Sequence, residues 1–420
     1  MVFVMKNNTI LISGAGIAGP TLAFWLKAAG FEPTLVECAP TLRSGGYVID
    51  FWGLGYDIAE RMELMPDIER TGYHVREMRI VGDDGRRVTG FGTRVFDELT
   101  DGRYVTLGRS DLSRLLFEKV GGGTEVLFGD EIVGLQEEQE GVQVQFRRAG
   151  RRRFDLVVGA DGLHSAVRRL AFGPQQQFER PLGYAVAAFE VSGYRPRDED
   201  IYLMYGQPGR MLGRFTLHDD RTLFLFVFAA DGGSLPTTLD LQKQMLRMKY
   251  RGDKWECPGI LDRLDRADEL YFDRVSQIKM DSWSRGRIAL IGDAAFCVSL
   301  VAGQGSALAM VSAYVLAGEL ARAGGQHAPA FGSYEALLRK YIAGKQDGAE
   351  RFASVFAPRT AWGLGLRNQV IRAFAIPGVA RFAVGRDIVD SLRLPDYRWP
   401  SPAAQATQSA SPPLRAVSDC

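Results

Sequence analysis

The chain has 420 residues, 46% hydrophobic and 24% charged, which is ample material for a buried core and indicates two globular domains. Its 51 Lys and Arg residues balance 50 Asp and Glu residues, so the net charge of +1 gives the whole chain no attraction to nucleic acid. No apolar stretch is long enough for a membrane span or a signal peptide, and we expect a soluble, cytoplasmic protein that has no membrane partner.

The Cys and His residues lie too far apart in the sequence to indicate a metal site. None of them shows a metal-ligand spacing such as CxxC, and we expect free thiols and neither a disulfide framework nor a bound metal. These residues are Cys38, Cys257, Cys297 and Cys420, with His74, His164, His218 and His327.

The first motif is TILISGAGIAGP at residues 9–20, a short apolar run that leads through a glycine turn into a helical pattern at 21–29. Gly14 allows the tight turn, Gly16 lets backbone amides approach a pyrophosphate, and Gly19 permits close packing of helix on strand. The helix N-terminus then points at the phosphates. Glu37 ends the next apolar run, at the distance where a carboxylate binds a ribose hydroxyl. An ordinary βαβ turn is the alternative, but these flanks favour a dinucleotide.

Residues 39–50 contain a glycine pair, Gly45 and Gly46, that lets backbone pass close to a flat or extended ligand, although a surface loop has the same composition. A helix at 54–64 and a hairpin of 76–81 with 87–91 follow. At 104–117 a strand leads into a helix, with Ser110 as the expected N-cap. Arg109 at this helix entrance suggests an anionic or ribityl-like partner, and a solvated surface arginine is the alternative.

Three short strands are predicted at 125–128, 131–135 and 142–146, and the basic cluster at 147–153 is interpreted as a solvated hairpin end. A buried strand at 155–158 then opens into GADG, which contains Asp161. An acidic residue between glycines after a buried strand is a second place where backbone can approach a dinucleotide.

The pattern changes to β segments alone at 184–228, which predicts an antiparallel sheet inserted as a second domain. Its aromatic and Met side chains either line an apolar pocket or form an ordinary core. Arg214, between Gly213 and Phe215, is a candidate anchor for an ionised phenol or enolate of a substrate. The alternative is an arginine that faces solvent.

A third strand and glycine loop follow at 287–295, where RIALIGDAA contains Gly292 and Asp293. Gly303 and Gly305 then precede an amphipathic helix at 306–323. The Asp293 carboxylate is placed to accept hydrogen bonds from sugar or ribityl hydroxyls, or to cap a helix. Further helices are predicted at 334–356 and at 369–392, the second interrupted at Pro377.

Taken together, these motifs resemble the FAD-dependent aromatic hydroxylases of the p-hydroxybenzoate hydroxylase type, in order and spacing, over nearly the whole chain. The chain looks closest to the branch that contains the tetracycline-inactivating flavin monooxygenases, through residues 313–320 and 394–397. The motifs that carry the resemblance are GAGIAG with Glu37, Arg43 with Gly45 and Gly46, Arg109, VVGADG at 157–162, and LIGDAA at 290–295 with Gly303 and Gly305.

The resemblance implies an α/β fold with a Rossmann-type FAD-binding domain, an inserted antiparallel-sheet substrate domain and C-terminal helices. The implied division is a discontinuous FAD-binding domain at 1–75, 101–175 and 282–360, a substrate domain at 76–100 and 176–281, a C-terminal helical segment at 361–396, and a disordered tail at 397–420.

The resemblance also implies a role for each motif residue. Gly14, Gly16, Gly19 and Glu37 would hold the ADP half of FAD. The rest of the cofactor would be held by Arg109, Asp50 and Asp293. Arg43 would assist NADPH, or NADH, when the flavin swings outward, and Asp161 would support both nucleotides, because the family has no separate domain for the nicotinamide cofactor.

The implied reaction is reduction of FAD by NADPH, addition of dioxygen at the flavin C4a position, and transfer of one oxygen atom from the hydroperoxide to an electron-rich substrate. Four positions depart from the common family pattern: Phe296, Leu300, Ala307 and Ser312. Leu300 and Ala307 leave open a flavin oxidase, reductase or cyclase without oxygen transfer, and a non-catalytic nucleotide-binding protein is the alternative from another class.

We expect a bulky aromatic, polyketide-like or alkaloid-like substrate, in antibiotic synthesis or inactivation, because a sheet rich in aromatic and Met side chains favours a roomy apolar cavity. The expected assembly is a monomer or a homodimer.

Overall fold

The computed structural model describes residues 6–43, 45–230, 232–299, 303–374, 376, 378–379, 390–397 and 399. Leu300, Pro377, much of the predicted helix at 369–392 and nearly all of the predicted tail lie outside these residues. None of the described helices is long and apolar enough to cross a membrane.

The strands are β1 (Thr9–Ser13), β2 (Glu32–Glu37), β3 (Val48–Trp52), β4 (Glu77–Val81), β5 (Arg87–Gly92), β6 (Tyr104–Gly108), β7 (Glu125–Phe128), β8 (Ile132–Glu138), β9 (Gly141–Phe146), β10 (Arg151–Phe154), β11 (Leu156–Gly159), β12 (Glu179–Ser192), β13 (Ile201–Gln207), β14 (Arg210–Thr216), β15 (Arg221–Ala229), β16 (Tyr271–Ile278), β17 (Ser284–Arg285) and β18 (Ile288–Leu290).

The helices are α1 (Ala18–Ala28), α2 (Leu54–Arg61), α3 (Met65–Thr71), α4 (Thr93–Thr100), α5 (Arg109–Val120), α6 (Ala166–Ala171), α7 (Leu239–Lys249), α8 (Cys257–Asp265), α9 (Asp293–Phe296), α10 (Gly305–Arg322), α11 (His327–Phe356) and α12 (Ala361–Ala373). A short 3-10 helix spans Gln175–Gln177.

The structure consists of two groups of layers, each built around one large sheet. A six-stranded sheet in the order β17-β18-β11-β1-β2-β7 forms the centre of the first group, which we call the first layer system. The pairs β18-β11, β11-β1, β1-β2 and β2-β7 are parallel. Its central strands are continuous apolar runs because helices cover both faces of a parallel sheet. The carboxyl ends of β1, β2 and β11 therefore meet at one edge, where each strand is followed by a loop.

A seven-stranded sheet in the order β16-β12-β15-β14-β13-β4-β5 forms the second layer system. The strands within 184–228 pair antiparallel, as predicted, and the pair β13-β4, which joins them to an earlier hairpin, is parallel. The parallel pair arises because β4 and β5 come from a much earlier hairpin. The predicted fold class, an α/β FAD-binding domain with a second sheet and C-terminal helices, is confirmed.

The two faces of the seven-stranded sheet have different partners. Helices α7 and α8 cover one face, around a cluster that contains Phe224, Phe226 and Ile260. The opposite face contributes Phe215, Leu223 and other apolar residues to clusters that also contain residues of the first layer system. We call this second face the roof face.

Arg214 does not lie on the roof face, and its assignment as a substrate anchor is wrong. Its cross-strand partners, Leu203 and Phe224, belong to the cluster beneath α7 and α8. The guanidinium lies 2.6 Å from Asp198 and 3.1 Å from Glu256, and its side chain is 2% exposed. Strand alternation decides the outcome, because neighbouring residues of a strand point to opposite faces.

Several local predictions also change. The expected helix at 54–64 is α2, which ends at Arg61, and a further helix that was not predicted, α3, follows it. Helix α5 begins at Arg109 after Gly108, without a side-chain cap, so Ser110 is not its N-cap. Helix α12 ends at Ala373, and residues 391–397 contain no helix.

Residues 390–397 bind along the helices of the first layer system. Asp390 accepts a hydrogen bond from the Leu54 backbone N–H at 2.8 Å and lies 2.9 Å from the Lys345 ammonium. The Tyr397 hydroxyl donates to Glu319 at 2.7 Å, and a Cβ at Gly318 would lie 2.2 Å from the Tyr397 ring. Gly318 therefore makes room for this ring.

Candidate cofactor site

The glycine turn after β1 is formed by close backbone contacts. Gly14 has φ +106°, and a Cβ there would lie 2.5 Å from the Ala160 carbonyl oxygen. A Cβ at Gly19 would lie 1.9 Å from the Gly14 carbonyl oxygen, so a side chain at either position requires the backbone to move. Gly16 differs from both, because its nearest neighbour would be Arg109 Nη2 at 3.8 Å. The space beside Gly16 is open.

Glu37 braces the same turn at the end of β2. One carboxylate oxygen accepts a hydrogen bond from the Ala15 N–H at 2.9 Å, and the other accepts from the Ala39 N–H at 3.0 Å. Arg43 Nη2 lies 3.9 Å from the carboxylate, on a side chain that is 72% exposed. The structure thus brings Glu37 and Arg43 together beside the loop, with the Arg43 guanidinium largely in solvent.

Arg109 provides the positive charge closest to Gly16. Its backbone N–H donates to the Tyr47 carbonyl at 3.0 Å, which holds the start of α5 against the segment before β3. Within the part of the chain that the structure describes, no hydrogen bond or ion pair occupies the guanidinium. A partly buried guanidinium beside an open glycine loop and a helix N-terminus suits a pyrophosphate. These residues therefore fit the phosphates of FAD.

Asp161 lies at the same edge, but neighbouring groups occupy its carboxylate. It accepts hydrogen bonds from the Ser165 hydroxyl at 2.5 Å and from the N–H groups of Ala166 and Val167 at 2.9 and 3.1 Å. Burial raises the pKa of Asp161, and these bonds oppose the shift. These hydrogen bonds fix the start of α6. The Asp161 Cα also lies close to the first glycine turn, since it would be 3.0 Å from a Cβ at Gly14.

Arg168 connects this turn to the third glycine loop, a link that the sequence did not indicate. Its fully buried guanidinium donates to the Leu163 carbonyl at 2.6 Å and to the Ala294 carbonyl at 2.8 Å. The loops after β11 and β18 are therefore held at a fixed separation.

The third loop brings Gly292, Asp293 and Gly305 together. Gly292 has φ +58°, and its N–H donates to the Ser312 hydroxyl at 3.1 Å. A Cβ at Gly305, the first residue of α10, would lie 3.6 Å from the Asp293 carboxylate. Burial raises the pKa of Asp293, and the charge of Arg109 opposes the shift. Asp293 and Arg109 thus influence each other across the site.

The three remaining predicted glycines, in two segments, lie in open surroundings. Gly45 and Gly46 have φ +74° and +115°, and no atom of the described residues lies within 4 Å of a Cβ built on Gly46. Gly303 has φ +67°, and its Cβ would lie 3.7 Å from the Trp52 ring. Both segments leave space beside the backbone.

Asp50 joins the first layer system to the roof face through hydrogen bonds. One of its carboxylate oxygens accepts hydrogen bonds from the Thr106 hydroxyl at 2.5 Å and from the Tyr202 hydroxyl at 2.9 Å. Thr106 lies on β6 and Tyr202 lies on β13. Burial raises the pKa of Asp50, while the two hydroxyl donors oppose the shift. The sequence indicated Asp50 but not its partner Tyr202, which is distant along the chain.

Aromatic side chains from both layer systems meet between the third loop and the roof face. The ring centroids of Tyr47 and Tyr271 lie 5.4 Å apart, and those of Tyr202 and Phe215 lie 4.6 Å apart. Burial raises the pKa of Tyr47 to about 12. These phenols therefore remain neutral hydrogen-bond donors near neutral pH.

His164 and Asp273 form a pair at the margin of this region. The His164 Nε2 atom lies 3.0 Å from the Asp273 carboxylate, and this hydrogen bond raises the pKa of His164. Asp273 occupies a β16 position on the roof face, opposite Val186 of β12. The sequence showed His164 only as an isolated residue, because its partner comes from the other sheet.

The profile of the FAD binding domain family matches residues 7–342 of this chain. A flavin-dependent monooxygenase from an unknown prokaryotic organism is 35% identical over 351 residues, which cover 81% of this chain and 88% of the relative. The chain belongs to the FAD-dependent monooxygenases. The resemblance predicted from the motifs is confirmed, and FAD is the cofactor of the family.

Further comparisons agree with this family. A flavin-dependent monooxygenase of Legionella longbeachae serogroup 1 is 34% identical over 352 residues, with 81% of this chain and 87% of the relative covered. The crystal structure of tetracycline destructase Tet(55) is 29% identical and superimposes with a TM-score of 0.80, covering 93% of this chain and 99% of that chain. The similarity extends over both layer systems.

Replacing Arg109 by Met is expected to weaken FAD binding roughly 10- to 100-fold, because a charge-assisted hydrogen bond to phosphate contributes about 1.5–3 kcal/mol. The measurement is titration of apoprotein with FAD, followed by flavin fluorescence. Arg114→Met is the matched control on the same helix, since Arg114 is 46% exposed and pairs with Glu118. Equal affinities of Arg109→Met and wild type would show that Arg109 does not contact the cofactor.

Proposed function

We propose that the protein is an NAD(P)H-using monooxygenase that oxygenates a bulky aromatic or polyketide-like small molecule. The observation that supports this proposal is the aromatic and apolar surface that the roof face presents to the cofactor loops. The partly buried residues that pack there against one buried cluster come from both layer systems, and they are Tyr47, Val48, Tyr202, Leu225 and Tyr271. A site of this kind excludes water around a reacting molecule and binds a ring system.

FAD, once reduced by NADPH or NADH, supplies activated dioxygen in this family of reactions. The protein's own groups bind and orient the cofactor and the substrate. Gly14, Gly16, Gly19 and Arg109 would hold the phosphates, Glu37 the ribose, and Asp50, Asp293, Gly292, Gly303 and Gly305 the remainder. Arg43, Gly45, Gly46 and Asp161 would serve the nicotinamide donor and the adjoining part of FAD.

The roof face suits a neutral ring system better than a small acid. Its described central positions carry Tyr202, Met204, Phe215, Leu225 and Tyr271, and its charged residues stand toward the margins, where Glu190 pairs with Arg221 at 2.8 Å. With Arg214 on the opposite face, no arginine of β14 faces this surface to pair with a substrate carboxylate at its centre. The similarity to tetracycline destructase Tet(55) supports a polycyclic substrate.

The proposal includes a cytoplasmic location and a chain that works as a monomer or homodimer. Three cysteines in the described residues, Cys38, Cys257 and Cys297, are free thiols, in agreement with a reducing compartment.

Oxygen transfer is tested with labelled dioxygen. During NADPH oxidation in ¹⁸O₂, a product of the true substrate is expected to gain one ¹⁸O atom, measured by mass spectrometry, with labelled water and ordinary dioxygen as the control. Unlabelled product would instead indicate an oxidase, reductase or cyclase, and the absence of NADPH turnover with every ligand would indicate a non-catalytic nucleotide-binding protein.

Gly213 offers a way to test the size of the substrate. It lies on the roof face between Met204 of β13 and Leu225 of β15. A Cβ there would lie 3.6 Å from Leu225 Cβ, an ordinary van der Waals distance, and its three nearest atoms belong to Leu225 and Leu203 of the same sheet. A side chain can therefore be added at this buried position of the roof face without a close contact at its Cβ.

Replacing Gly213 by Leu is expected to raise KM for polycyclic phenols at least roughly tenfold, since it fills space that a large ring system would occupy. Gly213→Ala, which adds one methyl group, is the graded control. Stimulated NADPH oxidation is the measurement, with tetracycline and p-hydroxybenzoate as large and small probes and FAD content as the check on folding. Stimulation by p-hydroxybenzoate alone, or an unchanged KM in Gly213→Leu, would contradict a bulky substrate at this face.

A further inference from the structure

Helix α12 presents an uncharged face to solvent. Before Arg372, its exposed positions are Ala361, Trp362, Gly365, Leu366, Gln369 and Val370. Trp362, Leu366 and Val370 follow one another at intervals of four residues, and they are 78%, 50% and 42% exposed. The charged side chain within this stretch, Arg367, points inward and is 8% exposed. In most surface helices the polar side faces water, whereas in α12 the apolar side does.

Neighbouring residues extend this apolar face. Arg372 donates a hydrogen bond to the Val88 carbonyl at 3.1 Å, which ties α12 to β5, and Val88 is itself 38% exposed. Ile376 is 58% exposed just beyond the helix. Five exposed large apolar side chains thus occur on α12 and the residues beside it. A contiguous patch of this kind on a protein surface marks an interaction site.

The segment that carries the patch has charges of one sign, and the acidic residue that reaches it from α4, Glu98, accepts a hydrogen bond from the Gly378 N–H at 3.2 Å and is paired with Arg94 at 3.5 Å. Residues 357–379 contain Arg359, Arg367 and Arg372 and no Asp or Glu. Arg359 and Arg372 are exposed at the two ends of α12. A helix with Trp and aliphatic residues on one side and arginines at its margins matches the surface of a bilayer that contains anionic lipids.

A second copy of the chain fits this face less well. A two-fold contact sets the same patch of both copies together, which would bring the arginine-bearing ends of two helices near each other without acidic residues from the segment to balance them. The segment 401–420, rich in Ser, Ala, Pro and Gln, offers little apolar surface as a cover.

We propose that the outward face of α12 docks this protein on an anionic lipid surface. Trp362, Leu366 and Val370 enter the boundary between headgroups and acyl chains, and Arg359 and Arg372 contact the anionic headgroups. This is binding to the surface of the bilayer and needs no membrane-spanning helix. It stands independently of the substrate assigned above.

The test is flotation of the full-length, FAD-loaded protein with vesicles. Wild-type protein is expected to float with vesicles of phosphatidylcholine and phosphatidylglycerol, and to bind vesicles of phosphatidylcholine alone roughly fivefold more weakly for each arginine that contacts the headgroups. The triple variant Trp362→Gln, Leu366→Gln, Val370→Gln is expected to bind the anionic vesicles at least about tenfold more weakly.

The matched control is Leu241→Gln with Met248→Gln on α7, where side chains 50% and 68% exposed carry no such role. This control is expected to float as wild type does. Both variants should keep their FAD and their rate of NADPH oxidation, since the changed side chains face solvent.

Three results would overturn the proposal. They are a wild-type protein that does not float with anionic vesicles, a triple variant that floats as well as wild type, and a concentration-dependent dimer that the triple substitution disperses. The last result, measured by light scattering during gel filtration, would assign the face to a second copy of the chain.

Discussion

The contact between the backbones of Gly14 and Gly19 is the constraint on which the cofactor site depends. A Cβ at Gly19 would lie only 1.9 Å from the Gly14 carbonyl, so the first turn of α1 can pack on the end of β1 only if Gly19 lacks a side chain, while a Cβ at Gly14 would lie 2.5 Å from the Ala160 carbonyl after β11. This contact directs the N-terminus of α1 toward the edge where β1, β2 and β11 end. Glu37 then braces the loop from β2, and Asp161 and Arg168 fix the loops that follow β11 and β18.

Two arginines of this protein stabilise the fold, and a third is placed to bind a ligand. Arg168 and Arg214 are both buried, and carbonyls or carboxylates of the protein engage their guanidinium groups. Arg109 is different, because no described residue pairs with its guanidinium and its nearest open space lies beside Gly16. A charged group that the fold places without a partner is the stronger indication of a ligand, since leaving it unpaired costs free energy.

Local sequence patterns predicted the strands and glycine turns of the first layer system well and the interface with the second sheet poorly. The glycines at 14, 16 and 19, Glu37 and Arg109 are recognisable because they lie close in sequence to the strands and helices that position them. The hydrogen bond from Tyr202 to Asp50, the His164 pair with Asp273 and the two carboxylates around Arg214 join residues that are distant along the chain. The face of the sheet on which each of these side chains lies depends on strand register, and a shift of one residue would move the side chain to the opposite face. Helices α3, α4, α7 and α8 were not predicted either.

The most direct test of the account is FAD binding by Gly16→Val. Gly16 has no φ that requires glycine, and among the described residues the only neighbour within 4 Å of its Cβ would be the Arg109 side chain at 3.8 Å, so this variant is expected to fold and its apoprotein to unfold at the wild-type temperature. Because the side chain fills the space assigned to the pyrophosphate, titration with FAD should show at least about tenfold weaker binding than wild type. A folded Gly16→Val protein that binds FAD with wild-type affinity would contradict the placement of the cofactor at this loop.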